Sequence, residues 1–147
     1  MVLTLLKRLT ASAPEPLDDG DARLALSALM VRLARTDGHY DMAEAAEITR
    51  ILMDRFALDH QAAEVLRSEA EEIEQQAPDT VRFTRAIKDA VGYEQRAAVV
   101  EALWQVALAD GSRDHEEDGL MRLVVSLLGI NDRDSALARQ RVEARSG

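Results

Sequence analysis

From Asp21 onward, apolar residues recur every three or four positions almost to the end of the chain. Leu26, Leu29, Met30 and Leu33 follow the spacing of one helix face. Ile48, Ile51, Leu52 and Phe56 mark a second helix. Asp59 is placed to cap a third, which carries Val65, Leu66 and Ile73. That helix closes in "EAEEIEQQAPD", a run of carboxylates and amides expected to be a solvated face, with Pro78 as its stop. Phe83, Ala86, Ile87 and Ala90 mark a fourth helix, which Gly92 is expected to end. Ala97, Val100, Trp104, Ala107 and Leu108 mark a fifth. Met121, Val124, Val125 and Leu128 mark a sixth, closed by Gly129. Asn131 is placed to cap a last, weakly apolar helix running toward Val142. No segment alternates with period two over a useful length, so the pattern predicts an all-α fold with short connections.

The start of the chain differs. "MVLTLLKRL" (Met1 to Leu9) is too short for a signal peptide, and its basic pair follows the apolar stretch instead of preceding it. It predicts a short amphipathic helix docked on its own domain, and any membrane contact is expected only through it. "ASAPEPLDDGD" (Ala11 to Asp21) reads as a linker. The expected division is residues 1–20 for this helix and linker and 21–147 for the helical domain.

The main organisational feature is a repeat. "ARTDGHYDMAEAAEI" (Ala34 to Ile48) and "ALADGSRDHEEDGLM" (Ala107 to Met121) share A-x-x-D-G-x-x-D-x-x-E. A shift of 110 − 37 = 73 residues aligns Asp37 with Asp110, Gly38 with Gly111, Asp41 with Asp114 and Glu44 with Glu117. The same shift matches Met30 with Leu103 and Ile51 with Val124. Two helix–turn–helix hairpins of one design are expected to flank a middle pair of helices.

Helix-end chemistry accounts for much of the motif. The glycines suit the left-handed residue that ends a helix. Asp41 and Asp114 suit N-caps, and Glu44 and Glu117 stand at the third helical position, where a capping box places them. Asp37 and Asp110 are different, because an acid at a helix C-terminus faces the negative end of the dipole. D-G-x-x-D-x-x-E also copies the second half of a calcium-binding EF-hand loop. Leu33 and Arg35, or Val106 and Leu108, stand where the first half needs ligands, so neither copy is an EF-hand. A half loop offers two or three oxygens where calcium takes about 6–8. Two copies brought together would offer more.

Composition narrows the classes of function. The chain has 147 residues, long enough for one domain with a real core. Aromatics are only 3%, so the core must be aliphatic. The net charge of −9 argues against nucleic acid as a partner. With no cysteine, thiolate zinc sites and cysteine nucleophiles are excluded. There is no G-x-S-x-G and no glycine-rich phosphate loop. His39, His60 and His115 are expected to be solvent-exposed, and Trp104 to anchor the core. Arg82 and Arg85, at i and i+3, are expected to form intramolecular surface pairs, or else to present a basic spot to a partner.

"LARTDGHYDMAEAAEI" together with "ALWQVALADGSRDHEEDGLMRLVVSLLGI" resembles the tellurite resistance protein B (TerB) family, from about Asp21 to about Asp134. "FTRAI" and the short N-terminal helix are similar to a small bacterial branch of it. The resemblance implies a compact bundle of about seven helices with an internal duplication. It also implies acidic positions suspected of binding metal, here Asp37, Glu44, Asp110 and Glu117. Asp41 and Asp114 fall where the family varies more, which favours caps. Family members are encoded with stress-response and membrane-associated partners. Reduction of tellurite runs through thiols, so any resistance role of this chain must be indirect.

The expectation is therefore a non-enzymatic cytoplasmic interaction or scaffold module with an acidic surface at the two Asp-Gly junctions and a protein partner. The alternative is a divalent-cation binder for calcium, magnesium, manganese or zinc. A metal-dependent hydrolase is a distant third.

Overall fold

The structure is a computed structural model that describes residues 19–35, 40–77, 79–108 and 115–146, the side chains of 19, 115–120 and 146 excepted. These residues form an all-α bundle with no strand among them: α1 (Asp19–Ala34), α2 (Met42–Phe56), α3 (His60–Gln76), α4 (Thr80–Ala90), α5 (Tyr93–Leu108), α6 (His115–Leu127) and α7 (Asp132–Ser146).

α1 is the central element. It packs against α2, α3, α4, α5 and α6, and most extensively against α3. Its burial is therefore not one stripe. Leu24, Ala25, Ala28 and Val31 are as enclosed as the expected Leu26, Leu29, Met30 and Leu33. A helix apolar on all sides belongs inside a core. Its buried Ser27 hydroxyl donates to the Arg23 carbonyl at 2.7 Å, so no polar atom is stranded there. Thr84 does the same with the Thr80 carbonyl in α4. α5 is the second inner helix, burying Val99, Val100, Ala102, Leu103, Trp104 and Ala107, and α7 packs chiefly on it. The Trp104 indole donates to Ser135 Oγ at 3.1 Å, which ties α7 to this core.

The helix ends follow local chemistry. Asp59 caps α3, its Oδ1 accepting from Ala62 N at 2.8 Å. Asn131 Oδ1 accepts from Asp134 N at 2.7 Å at the start of α7. α3 stops at Gln76, and Ala77 is extended, as the residue before a proline must be. Gly129 has φ +74. Gly129 N donates to the Ser126 carbonyl and Ile130 N to the Val125 carbonyl, which is the paired closure of a Schellman motif. α2 closes in a similar corner, with Ala57 at φ 52 and Leu58 N donating to the Met53 carbonyl at 3.1 Å.

Three expectations change. α1 already begins at Asp19, inside the stretch Ala11–Asp21 expected to be a linker, the rest of which lies outside the described residues; acids in a first turn suit the helix dipole. Gly92 does not end α4 in a left-handed cap. Val91 takes the extended C-cap position, and the Gly92 carbonyl instead accepts from Arg96 N at the start of α5. The run after Ala70 is not wholly solvated, because Glu74 is buried with Ala63, Ala70 and Ile73. The Met1–Leu9 helix, Pro78 and the Asp-Gly turns that define the repeat lie outside the described residues.

Candidate functional site

The first acidic junction joins α1 to α2. Asp41 has the extended backbone of an N-cap, and its Oδ1 accepts from Glu44 N at 3.0 Å. The Asp41 carbonyl takes Ala45 N at 3.0 Å. Cap geometry thus accounts for Asp41. Glu44 is partly exposed in the first turn of α2. Asp37, Asp110 and Asp114 lie outside the described residues, as does the side chain of Glu117. The spacing between the two junctions lies there too. Among the described residues, no group of three or more histidines and carboxylates is placed to hold a metal ion.

What is described around the junction is a brace. Arg32 and Arg35, at the C-terminal end of α1, converge on Glu74 of α3. Arg32 Nε lies 3.3 Å from Glu74 Oε1, and its Nη2 donates to the Glu74 carbonyl at 3.0 Å. Arg35 Nε lies 3.1 Å from Glu74 Oε2, an ion pair without hydrogen-bond alignment. The Arg35 guanidinium also stacks 4.7 Å above the Tyr40 ring. The Tyr40 hydroxyl donates to Glu71 Oε2, whose other partner is Arg67 at 3.7 Å. Burial, then the bond to Glu71, pushes the Tyr40 hydroxyl well above its ordinary pKa. A tyrosine held protonated in this way is a donor and a strut, not a base. Two cations at the end of α1 also suit the negative end of its dipole.

Sequence reasoning missed the partners of this brace. A signal for Glu74 existed: Ala63, Ala70 and Glu74 share a helix face, so period alone puts that carboxylate inward. Apart from their stack on each other, nothing local marks Arg35 or Tyr40, because Glu74 and Glu71 lie 39 and 31 residues away in sequence.

A second hub joins α2, α5 and α7. Glu101 of α5 receives Arg55 of α2 at 3.0 Å, Arg141 of α7 at 3.3 Å and also Arg145. Burial pushes its carboxyl up. The close Arg55 cation, with Arg141 and Arg145, outweighs that and holds it below the usual carboxylate range.

Arg82 and Arg85 both stand exposed on α4, and neither makes an ion pair among the described residues. The expected intramolecular pairing is therefore not found there. His60 is exposed, with Nδ1 2.9 Å from Glu64 on the next turn. His39 and the side chain of His115 lie outside the described residues. No helix among the described residues is long and apolar enough to cross a membrane.

No curated protein and no solved structure is significantly similar to the chain. The model of the family described as tellurite resistance protein TerB matches residues 23–140, from the second turn of α1 into α7. With its all-α fold and most of its length inside that match, the chain belongs to the TerB family.

Proposed function

We propose that the chain is a non-enzymatic, cytoplasmic interaction module of a tellurite-resistance-like stress response. It holds a protein partner through the acidic Asp-Gly junctions and through Arg82 and Arg85. One observation carries the reading. Arg32, Arg35, Arg50, Arg55, Arg67, Arg139, Arg141 and Arg145 all face carboxylates of their own chain, whereas Arg82 and Arg85, like Lys88, Arg122 and Arg133, are exposed and make no ion pair among the described residues, and Arg82, Arg85 and Lys88 follow one another at i, i+3 and i+6 on α4. Exposed cations on a chain of net charge −9 suit an acidic partner segment, and the acidic junctions suit a basic one.

The test is affinity capture with the full chain and with two double variants, Arg82→Glu/Arg85→Glu and Asp37→Asn/Asp110→Asn. The arginine pair is solvent-facing, so its replacement should shift stability by no more than about 0.5 kcal/mol. Each variant should lose the partner that the parent retains. Undiminished capture by both variants would sink the proposal. The divalent-cation alternative has its own check in thermal melts with calcium, magnesium, manganese and zinc. A cation bound to the native state must raise the melting temperature.

A further inference from the structure

α1, α2 and α5 leave an apolar cavity of about 290 Å³ between them. Leu26, Met30, Phe56 and Val99 supply its apolar wall. The volume is near the lower end of small-molecule sites, roughly 300–1,000 Å³. It is well above the roughly 150 Å³ that admits benzene.

The charges around the cavity are one-sided. The described lining contains two ionisable side chains, Arg23 and Arg55, and no carboxylate. Arg55 is already engaged, 3.0 Å from Glu101 and with its Nε donating to Gln105 at 3.0 Å. Arg23 is not. It is half-buried and makes no ion pair among the described residues, and its guanidinium stacks 4.7 Å from the centre of the Phe56 ring. That stack fixes a cation against the apolar wall without neutralising it. A half-buried charge without a counter-ion is costly, and an anion seated beside it would remove that cost.

We propose that this cavity binds a free medium-chain carboxylate. The alkyl tail lies against Leu26, Met30, Phe56 and Val99. The carboxylate meets Arg23, with Arg55 as the second cation of the lining. The inference is independent of the partner-binding proposal, because it uses neither the junctions nor α4.

Octanoate is the probe, titrated into the full chain by calorimetry and followed by thermal melting. Acetate supplies the head group alone, octanol the tail alone, and vesicles containing phosphatidylglycerol an anionic lipid surface. Octanoate should saturate one site and raise the melting temperature. Acetate should do neither. Octanol should bind about tenfold more weakly or worse, as loss of a charge-assisted hydrogen bond requires. Arg23→Gln should weaken octanoate by a similar factor and leave octanol unchanged. Ala98→Trp, at an exposed position of the same lining, should block both ligands without disturbing the core. The proposal is overturned if octanoate does not bind, or if octanol binds as well as octanoate. It is equally overturned if Ala98→Trp leaves octanoate binding intact, or if only the vesicles bind.

Discussion

Arg35 and Glu74 form an ion pair at 3.1 Å that ties the end of α1 to the last turn of α3. Arg32 meets the same carboxylate from one helical turn back. The Glu74 side chain is only 10% exposed, so water replaces its carboxylate poorly when it is removed. Glu74→Ala should destabilise the chain by about 1–3 kcal/mol, less than for a fully buried pair because Arg32 and Arg35 are 15% and 32% exposed. Glu74→Gln keeps one acceptor and should fall between this variant and the parent. Urea titration checks both. If Glu74→Ala matches the parent, the brace contributes nothing to the fold.

The Glu101 hub makes stability depend on pH at the acid end. Its carboxyl titrates below the ordinary 4.5 in the folded chain. A depressed native pKa means that the unfolded chain takes up the proton first as the pH falls. The stabilisation is therefore complete above pH 4.5 and is lost as the pH drops through the native value. Arg141 and Arg145 are each 56% exposed, so screening limits their share and Arg55 should dominate. Glu101→Gln should flatten the acid limb of a pH–stability curve, and Arg55→Gln should flatten it more than Arg145→Gln does.

Tyr40 acts at the opposite end of the scale. Burial and the Glu71 bond raise its native pKa above the ordinary 10. A raised native pKa keeps its stabilisation whole below pH 10 and loses it as the pH climbs toward the native value. Tyr40→Phe should remove that alkaline loss. Ultraviolet titration of tyrosinate should show both tyrosines ionising late in the parent and only Tyr93 in the variant. Tyr93 is also raised, by its bond to Asp134 and not chiefly by burial, so Asp134→Asn distinguishes the two tyrosines.

The helices were legible in the sequence because their cause is local. Asp59, Asn131 and Gly129 act within one turn of their own position, and each does at the helix end what its chemistry implies. Gly92 was misread for a related reason. A glycine between two helices can end one or begin the next, and spacing alone does not choose. The partners of the two hub carboxylates were not legible. Glu74 and Glu101 meet arginines 39 to 46 residues away, and no periodicity reports such a pairing. Arg23 belongs with them, since its stack on Phe56 joins α1 to α2 across the bundle. Of the candidate acids, Asp41 is accounted for as a cap, while the positions of Asp37 and Asp110 lie outside the described residues.

The two left-handed corners permit a paired test of backbone strain. Gly129 at φ +74 and Ala57 at φ 52 lie 129 − 57 = 72 residues apart, each followed by an apolar residue whose N–H returns to a carbonyl five residues back. At Gly129 an added Cβ would lie 3.0 Å from Lys88 Cε and 3.1 Å from Arg96 Nη1. The Arg96 guanidinium is anchored by the Val91 carbonyl at 2.8 Å and by the Leu128 carbonyl, so it cannot yield freely. Gly129→Ala therefore adds crowding to an unfavourable φ and should cost about 1–2 kcal/mol or slightly more. Ala57 already bears the same backbone penalty. Ala57→Gly relieves it at the expense of greater freedom in the unfolded chain, and should stabilise by roughly 0.5–1 kcal/mol. Chemical denaturation of both variants reads the pair. Opposite signs show that backbone conformation sets the cost at each corner, whereas destabilisation by both would place the Ala57 methyl among the packing contacts of the α2–α3 turn.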